Sequence, residues 1–218
     1  MKIGICISGH LRTFDKSLKN IKEYIINPLK EIGEVCLFIS SWEENLNLDF
    51  IDMDCNIEME NIFTQTFKSN NYLKYSGLCN HLTCNNSASM WYKCKKVFDM
   101  ATDCDVIFRI RPDIIYDSPL DISLVKESES SDKIYMANFH GKYESVTKGM
   151  MDHFAFGNKK VMSVYMNTYN NIKNYVNDDN LVHTAEGFLF ESIKNIDIER
   201  ININYSVYRL DGNIEKVI

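Results

Sequence analysis

The segment Asp103-Cys-Asp-Val-Ile-Phe-Arg-Ile-Arg-Pro-Asp-Ile-Ile-Tyr-Asp117 constrains the fold more than any other stretch. Val106, Ile107, Phe108 and Ile110 are the side chains of a buried strand. Pro112 has no N–H to give a sheet ladder, so the strand has to stop before it. Arg109, Arg111 and Asp113 are thereby delivered to a strand end, and in open α/β sheets ligands bind at strand ends. Guanidinium groups fork onto phosphate oxygens, whereas a carboxylate holds a divalent cation or accepts from sugar hydroxyls. The plainer use of the same residues is an ion pair closed at the strand end.

The rest of the chain alternates strand and helix patterns. Ile3 to Ile7 reads as a buried first strand that breaks at Ser8-Gly9-His10-Leu11-Arg12. A helix follows from about Asp15, with Leu18, Ile21, Ile25 and Leu29 on one face. Strand, glycine turn and helix make the first half of a nucleotide-binding unit, though one glycine falls far short of a G-x-G-x-x-G fingerprint. Arg12, just after the turn, is placed to meet a phosphate or a base. Val35 to Ile39 is a second strand ending in Ser40-Ser41-Trp42, with Trp42 read as core or rim packing.

Residues 45–83 have the least regular pattern, with one short strand within Ile57 to Phe67 and a loop from Lys68 to Cys79. Asn85-Asn86-Ser87 offers N-caps for a helix whose buried stripe is Met90, Cys94, Val97, Phe98 and Ala101. Trp91 and Tyr92 sit off that stripe, bordering a pocket or shelving a loop. Lys126 to Asp132 reads as a polar loop, Lys133 to Asn138 as a strand, and Ile198 to Val207 as one alternating strand. Phe154 to Phe156 is buried, Asn158 opens a helix, and Asp152 and His153 stand at a strand mouth. Thr184 N-caps a last helix with Glu186 in its first turn, where a glutamate complements the helix dipole or serves a site.

Size and charge narrow the function. At 218 residues the chain can bury one sizeable core, and the reading is a single α/β domain, 1–218, with a variable insertion at about 45–83. The formal charge of −6 and the lack of a Lys/Arg-rich run argue against a nucleic-acid partner. Seven scattered cysteines read as reduced thiols of a cytoplasmic protein. Cys79, His81, Cys84 and Cys94 match no common zinc spacing. No apolar run reaches the length of a membrane span.

Taken in order, Ile7-Ser-Gly9-His-Leu-Arg12, Phe38-Ile-Ser-Ser-Trp42, Phe108-Arg-Ile-Arg-Pro-Asp113, Asp152-His-Phe-Ala-Phe-Gly157 and Ala185-Glu186 resemble a family. The chain is similar, outside about 45–83, to small GT-A-type glycosyltransferases of large DNA viruses, phages and bacterial surface-polysaccharide loci. Arg-x-Arg-Pro-Asp takes the place of that family's Asp-x-Asp signature, with Arg111 where the first aspartate would stand. The resemblance implies a mostly parallel sheet with helices on both faces and a nucleotide-diphosphate sugar donor held by Ser8, Gly9, Arg12, Arg109, Arg111 and Asp113. It implies a glycan or other hydroxyl acceptor and host or bacterial cytoplasm as the location. An arginine can supply part of the charge stabilisation a metal gives a departing diphosphate. A cofactor Mn²⁺ or Mg²⁺ would fall to Asp113 and His153. Asp152 is the favoured base and Glu186 a sugar or acceptor ligand.

Three other classes compete. A nuclease reading of Pro112-Asp113 lacks any downstream Asp-x-Lys or Glu-x-Lys. A sugar-phosphate nucleotidyltransferase would carry a glycine-rich basic loop after its first strand. A non-catalytic nucleotide-sugar-binding module would keep the scaffold without the chemistry.

Overall fold

Pro112 ends its strand as expected, and that strand lies in the middle of the main sheet. The computed structural model describes residues 1–43, 48–60, 65, 67, 84–138, 150–178, 181 and 183–216. The chain opens with β1 (Lys2–Ser8), then α1 (Phe14–Ile21), a π-helical turn (Lys22–Ile26) and α2 (Asn27–Lys30). Next come β2 (Glu34–Trp42), β3 (Cys55–Glu60), α3 (Cys84–Met100), β4 (Val106–Ile110) and β5 (Ile114–Tyr116). They are followed by α4 (Ile122–Ser128), β6 (Lys133–Ala137), β7 (Phe154–Asn158), α5 (Lys159–Met166), a 3₁₀ turn (Asn167–Asn171) and α6 (Ile172–Tyr175). The chain finishes with α7 (Ala185–Ile193), β8 (Asp197–Ile201), β9 (Tyr205–Tyr208) and β10 (Ile214–Lys216).

Among the described residues the main sheet has seven strands in the order β3-β2-β1-β4-β7-β6-β8. The β1, β2, β3 and β4 strands pair in parallel, as do β6 and β8, while β7 runs antiparallel between β4 and β6. From β1 the chain steps outward to β2 and β3, then returns to the other side of β1 as β4. Right-handed crossovers in those two directions put α1–α2 and α3 on opposite faces. In agreement, the Cys6 thiol on β1 donates to the Val97 carbonyl of α3 at 3.8 Å. Helices α3, α5 and α7 pack against one another on that face. A second sheet, β10-β9-β5, is antiparallel and stands beside the carboxyl end of β4.

The expected helix stripe holds: Leu18, Ile21, Ile25 and Leu29 are all buried, although the π turn divides the helix. Leu120 N–H donates to the Tyr24 carbonyl within that turn at 2.9 Å. Asn158 caps α5 by accepting from Val161 N–H at 3.1 Å, and Thr184 caps α7 by accepting from Gly187 N–H at 3.1 Å. Gly157 is required by space, because a Cβ there would lie 2.8 Å from Val161 and 3.0 Å from the Lys133 carbonyl.

Four expectations need correction. The polar loop expected over Lys126 to Asp132 overlaps α4, capped by Asp121 through Ser123 N–H at 2.9 Å and burying Val125 and Ser128. The strand expected over Ile198 to Val207 is two, β8 in the main sheet and β9 in the second, parted at Asn202–Asn204. Trp91 is fully buried: it meets Tyr165 edge-to-face at 5.5 Å and its Nε1 donates to the Ala185 carbonyl at 3.0 Å. It lies off the sheet-facing stripe because α5 and α7 cover a second side of α3. The strand expected from Ile57 begins at Cys55 and forms the edge of the main sheet. The Cys79 and His81 candidates lie outside the described residues, and Cys84 and Cys94 are buried free thiols. No described helix is long and apolar enough to cross a membrane.

Candidate active site

Register brings distant segments to one level. Ser8 ends β1, Ile7 of β1 pairs with Ile110 of β4, and Ile110 pairs with Phe154 of β7. The residues just past those positions, Gly9, Arg111 and His153, therefore meet at the carboxyl end of the sheet. Arg111 N–H donates to the His153 carbonyl at 3.0 Å, which joins β4 to β7 there.

The first turn is pinned on both sides. Gly9 has φ +125°, a conformation that favours glycine; its N–H donates to the Ser40 carbonyl at 3.2 Å and its carbonyl accepts from Ser41 Oγ at 2.8 Å. Arg12 is exposed beyond the turn, with Nη2 3.1 Å from His10 Nδ1. The Ser8 hydroxyl is instead turned inward, 3.3 Å from the Cys94 sulfur, so only its main chain lies near the turn.

Arg111 and Asp113 form a bidentate pair, Nε to Oδ1 at 3.0 Å and Nη2 to Oδ2 at 2.6 Å. The main chain around Asp113 is locked as well: Ser17 Oγ donates to the Pro112 carbonyl, and Tyr208 N–H donates to the Asp113 carbonyl at 2.7 Å. The side chains of Arg111 and Asp113 keep 25 % and 17 % exposure, so a ligand can reach them. Burial pushes the Asp113 carboxyl up, but the Arg111 charge and its hydrogen bonds hold it below the usual range. Arg109, expected to touch a donor, is completely buried. Its Nη1 donates to the Ile110 carbonyl at 2.6 Å and to the Ser8 carbonyl at 3.3 Å.

Asp152 and His153 precede β7 and lean on the same cluster. His153 Nε2 lies 3.5 Å from Asp152 Oδ1, and Tyr205 Oη lies 3.4 Å from His153 Nδ1. Burial and the Arg111 charge push the imidazole down to about 4, so at neutral pH it is uncharged. Burial raises the Asp152 carboxyl, yet His153, Arg111 and Arg109 together bring it below its ordinary value. Glu186, in the first turn of α7, goes the other way: burial and then the Asp152 charge push it up to about 7. The two candidate carboxylates thus stand in opposite protonation regimes, the arrangement that separates acid from base in a site.

A metal does not fit the described residues. Both Asp113 oxygens are engaged by Arg111, His153 faces Tyr205 and Asp152, and no group of three or more His, Cys, Asp or Glu side chains is placed to hold an ion. Tyr205, the first residue of β9, joins the cluster without any sign in the sequence, which places it near the close of one longer strand. Near the end of β2, Trp42 stacks on Tyr92 at 6.4 Å with the buried Lys93 ammonium 4.3 Å above its ring. Tyr92 and Lys93 both donate to Glu60 at 2.9 Å, so this is a packed shelf, in line with the rim role expected of Trp42. A cavity of about 350 Å³ opens at the opposite end of the sheet, around Asp103, Asp105 and Lys159, away from all these groups.

No family model matches the chain, and no curated protein sequence matches it. Among solved structures it is similar to core-mannan synthase A from Aspergillus fumigatus in an Mn/GDP form. The TM-score is 0.54 at 7 % identity, over 93 % of this chain and 73 % of that one. The fold is GT-A-like. At that identity the likeness is one of architecture, and it agrees with the mixed, mostly parallel sheet expected from the sequence.

Proposed function

We propose that this protein is a glycosyltransferase that moves a sugar from a nucleoside-diphosphate donor to a hydroxyl of a glycan acceptor. The observation that carries the reading is the convergence, at the carboxyl end of a GT-A-like sheet, of the Gly9 turn, the reachable Arg111–Asp113 pair and two carboxylates of opposite character. Arg111 and Arg12 would meet the diphosphate, and Asp113 would orient Arg111 or accept from the sugar.

The environment argues for exchanging the roles first given to the carboxylates. A general base works best with a pKa near the operating pH, and Glu186 is held at about 7 whereas Asp152 is held low. In a direct displacement Glu186 takes the acceptor hydroxyl proton, the acceptor oxygen bonds to the anomeric carbon, and the bond from that carbon to the diphosphate oxygen breaks. The negative charge left on the diphosphate is met by Arg111. Asp152 keeps Glu186 basic, neutral His153 sits against Asp152, and Tyr205 steadies the His153 ring.

The test is a panel of UDP-, GDP- and dTDP-sugars offered to pure protein, in EDTA and in Mn²⁺, with binding measured by calorimetry and transfer or hydrolysis by mass spectrometry. At least one donor should bind and be turned over. Binding without turnover across an acceptor panel would favour the non-catalytic module, and no binding in either condition would end the reading.

A further inference from the structure

Arg109 is the one residue of β4 whose burial makes little sense as packing. It is completely enclosed, and a buried ion carries a desolvation cost that a close counter-charge ordinarily offsets. Arg111, two residues on, has such a partner in Asp113, bidentate and close. Arg109 has main-chain carbonyls instead, and among the described residues its Nε and Nη2 meet no hydrogen-bond acceptor. Room for it comes from its register neighbours, Cys6 on β1 and Ala155 on β7, both small.

The carbonyls it holds belong to Ser8 and Ile110, one residue short of Gly9 and Arg111. The guanidinium therefore lies directly beneath the turn and the arginine that face the donor. Its charge is felt by Asp152 and His153 at the mouth of β7. Within this cluster Arg109 and Arg111 stand against the ionised Asp113 and Asp152, with Glu186 partly protonated; without Arg109 the carboxylates would outweigh Arg111 alone and oppose the approach of a diphosphate.

We propose that Arg109 acts on the donor without touching it, as a cation sealed under the ends of β1 and β4 that balances the site's carboxylates and draws a nucleoside diphosphate to the strand ends. This rests on the donor reading above. A charge in the interior is weakly screened and acts beyond contact distance.

The test uses UDP, GDP and the corresponding uncharged nucleosides as probes, titrated by NMR into wild type, Arg109→Met, Arg109→Lys and Ala155→Asp, each first checked for folding by circular dichroism. Met removes the charge, and an aspartate at the register partner neutralises it by an independent route, so either variant carries the test if the other fails to fold. Both should weaken diphosphate binding about tenfold and change nucleoside binding by less than about twofold, while Lys stays within about threefold of wild type. Diphosphate and nucleoside weakened alike, or Lys as poor as Met, would mark Arg109 as a structural clamp and overturn the proposal. If wild type binds no diphosphate, the donor reading has failed; if it does and Arg109→Met binds equally well, only this inference has.

Discussion

At the amino-terminal end of the main sheet the charges face water. Lys160 pairs with Asp132 at 75 % and 63 % side-chain exposure, and in the Lys2–Asp103 pair beside β1 and β4 the aspartate is as open while Lys2 is half-buried. At the carboxyl end of the same strands, Arg111, Asp113, Asp152 and His153 crowd into a half-sheltered cluster whose charges reach Glu186, with Arg109 shut beneath it. Exposed pairs contribute little to stability, and buried ones often contribute less than apolar residues of the same shape would. The charged carboxyl end thus costs stability that packing elsewhere supplies, which is the pattern of a site rather than of a scaffold. The amino-terminal end is ordinary solvated surface.

The largest contrast should come from Glu186→Gln. Turnover should fall about 10²- to 10⁴-fold with donor affinity and melting temperature nearly unchanged, since only the proton acceptor is lost. Arg111→Met should come next. It leaves Asp113 without its partner in a place where water only partly substitutes, and denaturant titration should show a loss of about 3 kcal/mol together with weaker donor binding.

His153 links the cluster to pH. Its folded pKa of about 4 lies below the ordinary 6.5, so between those values the unfolded chain binds a proton that the folded chain refuses. Stability should therefore fall by about 3 kcal/mol as pH drops from 6.5 to 4, and His153→Gln should abolish that part of the fall. The depressed Asp113 and Asp152 carboxyls contribute stability above the unfolded carboxylate range, lost only as pH falls through their folded values. A gentler effect concerns rate: activity should rise with pH through about 7 as Glu186 ionises, and Asp152→Asn, by removing a neighbouring negative charge, should move that limb to lower pH. The smallest is Lys160→Ala at the other end, where neither melting temperature nor activity should move measurably. A large effect there would erase the distinction between the two ends.

Much of this was legible in the chain itself. An apolar run stopped by Pro112 locates β4, a lone glycine after a strand locates the turn, and the N-cap residues Asn158 and Thr184 place Asp152 and Glu186 beside element ends. What stayed hidden is depth. Nothing local says that Arg109 lies between Cys6 and Ala155, because those neighbours come from strands about a hundred and about fifty residues away and only the register reveals the space they leave. The inward turn of the Ser8 hydroxyl is hidden for the same reason, since Cys94 comes from the helix packed behind β1. Apolar and polar residues alternate without a break from Ile201 to Val207, so the passage between sheets at Asn202–Asn204 leaves no trace in the pattern. Short α4 hides for lack of a full stripe, with only Val125 and Ser128 buried.

The most direct test is a crystal structure with a bound nucleoside diphosphate. Phosphate oxygens within hydrogen-bonding distance of the Arg111 guanidinium and beside the Gly9 turn would bear out the account. Phosphate density in the cavity around Asp103 and Lys159, with the Arg111–Asp113 pair untouched, would contradict it.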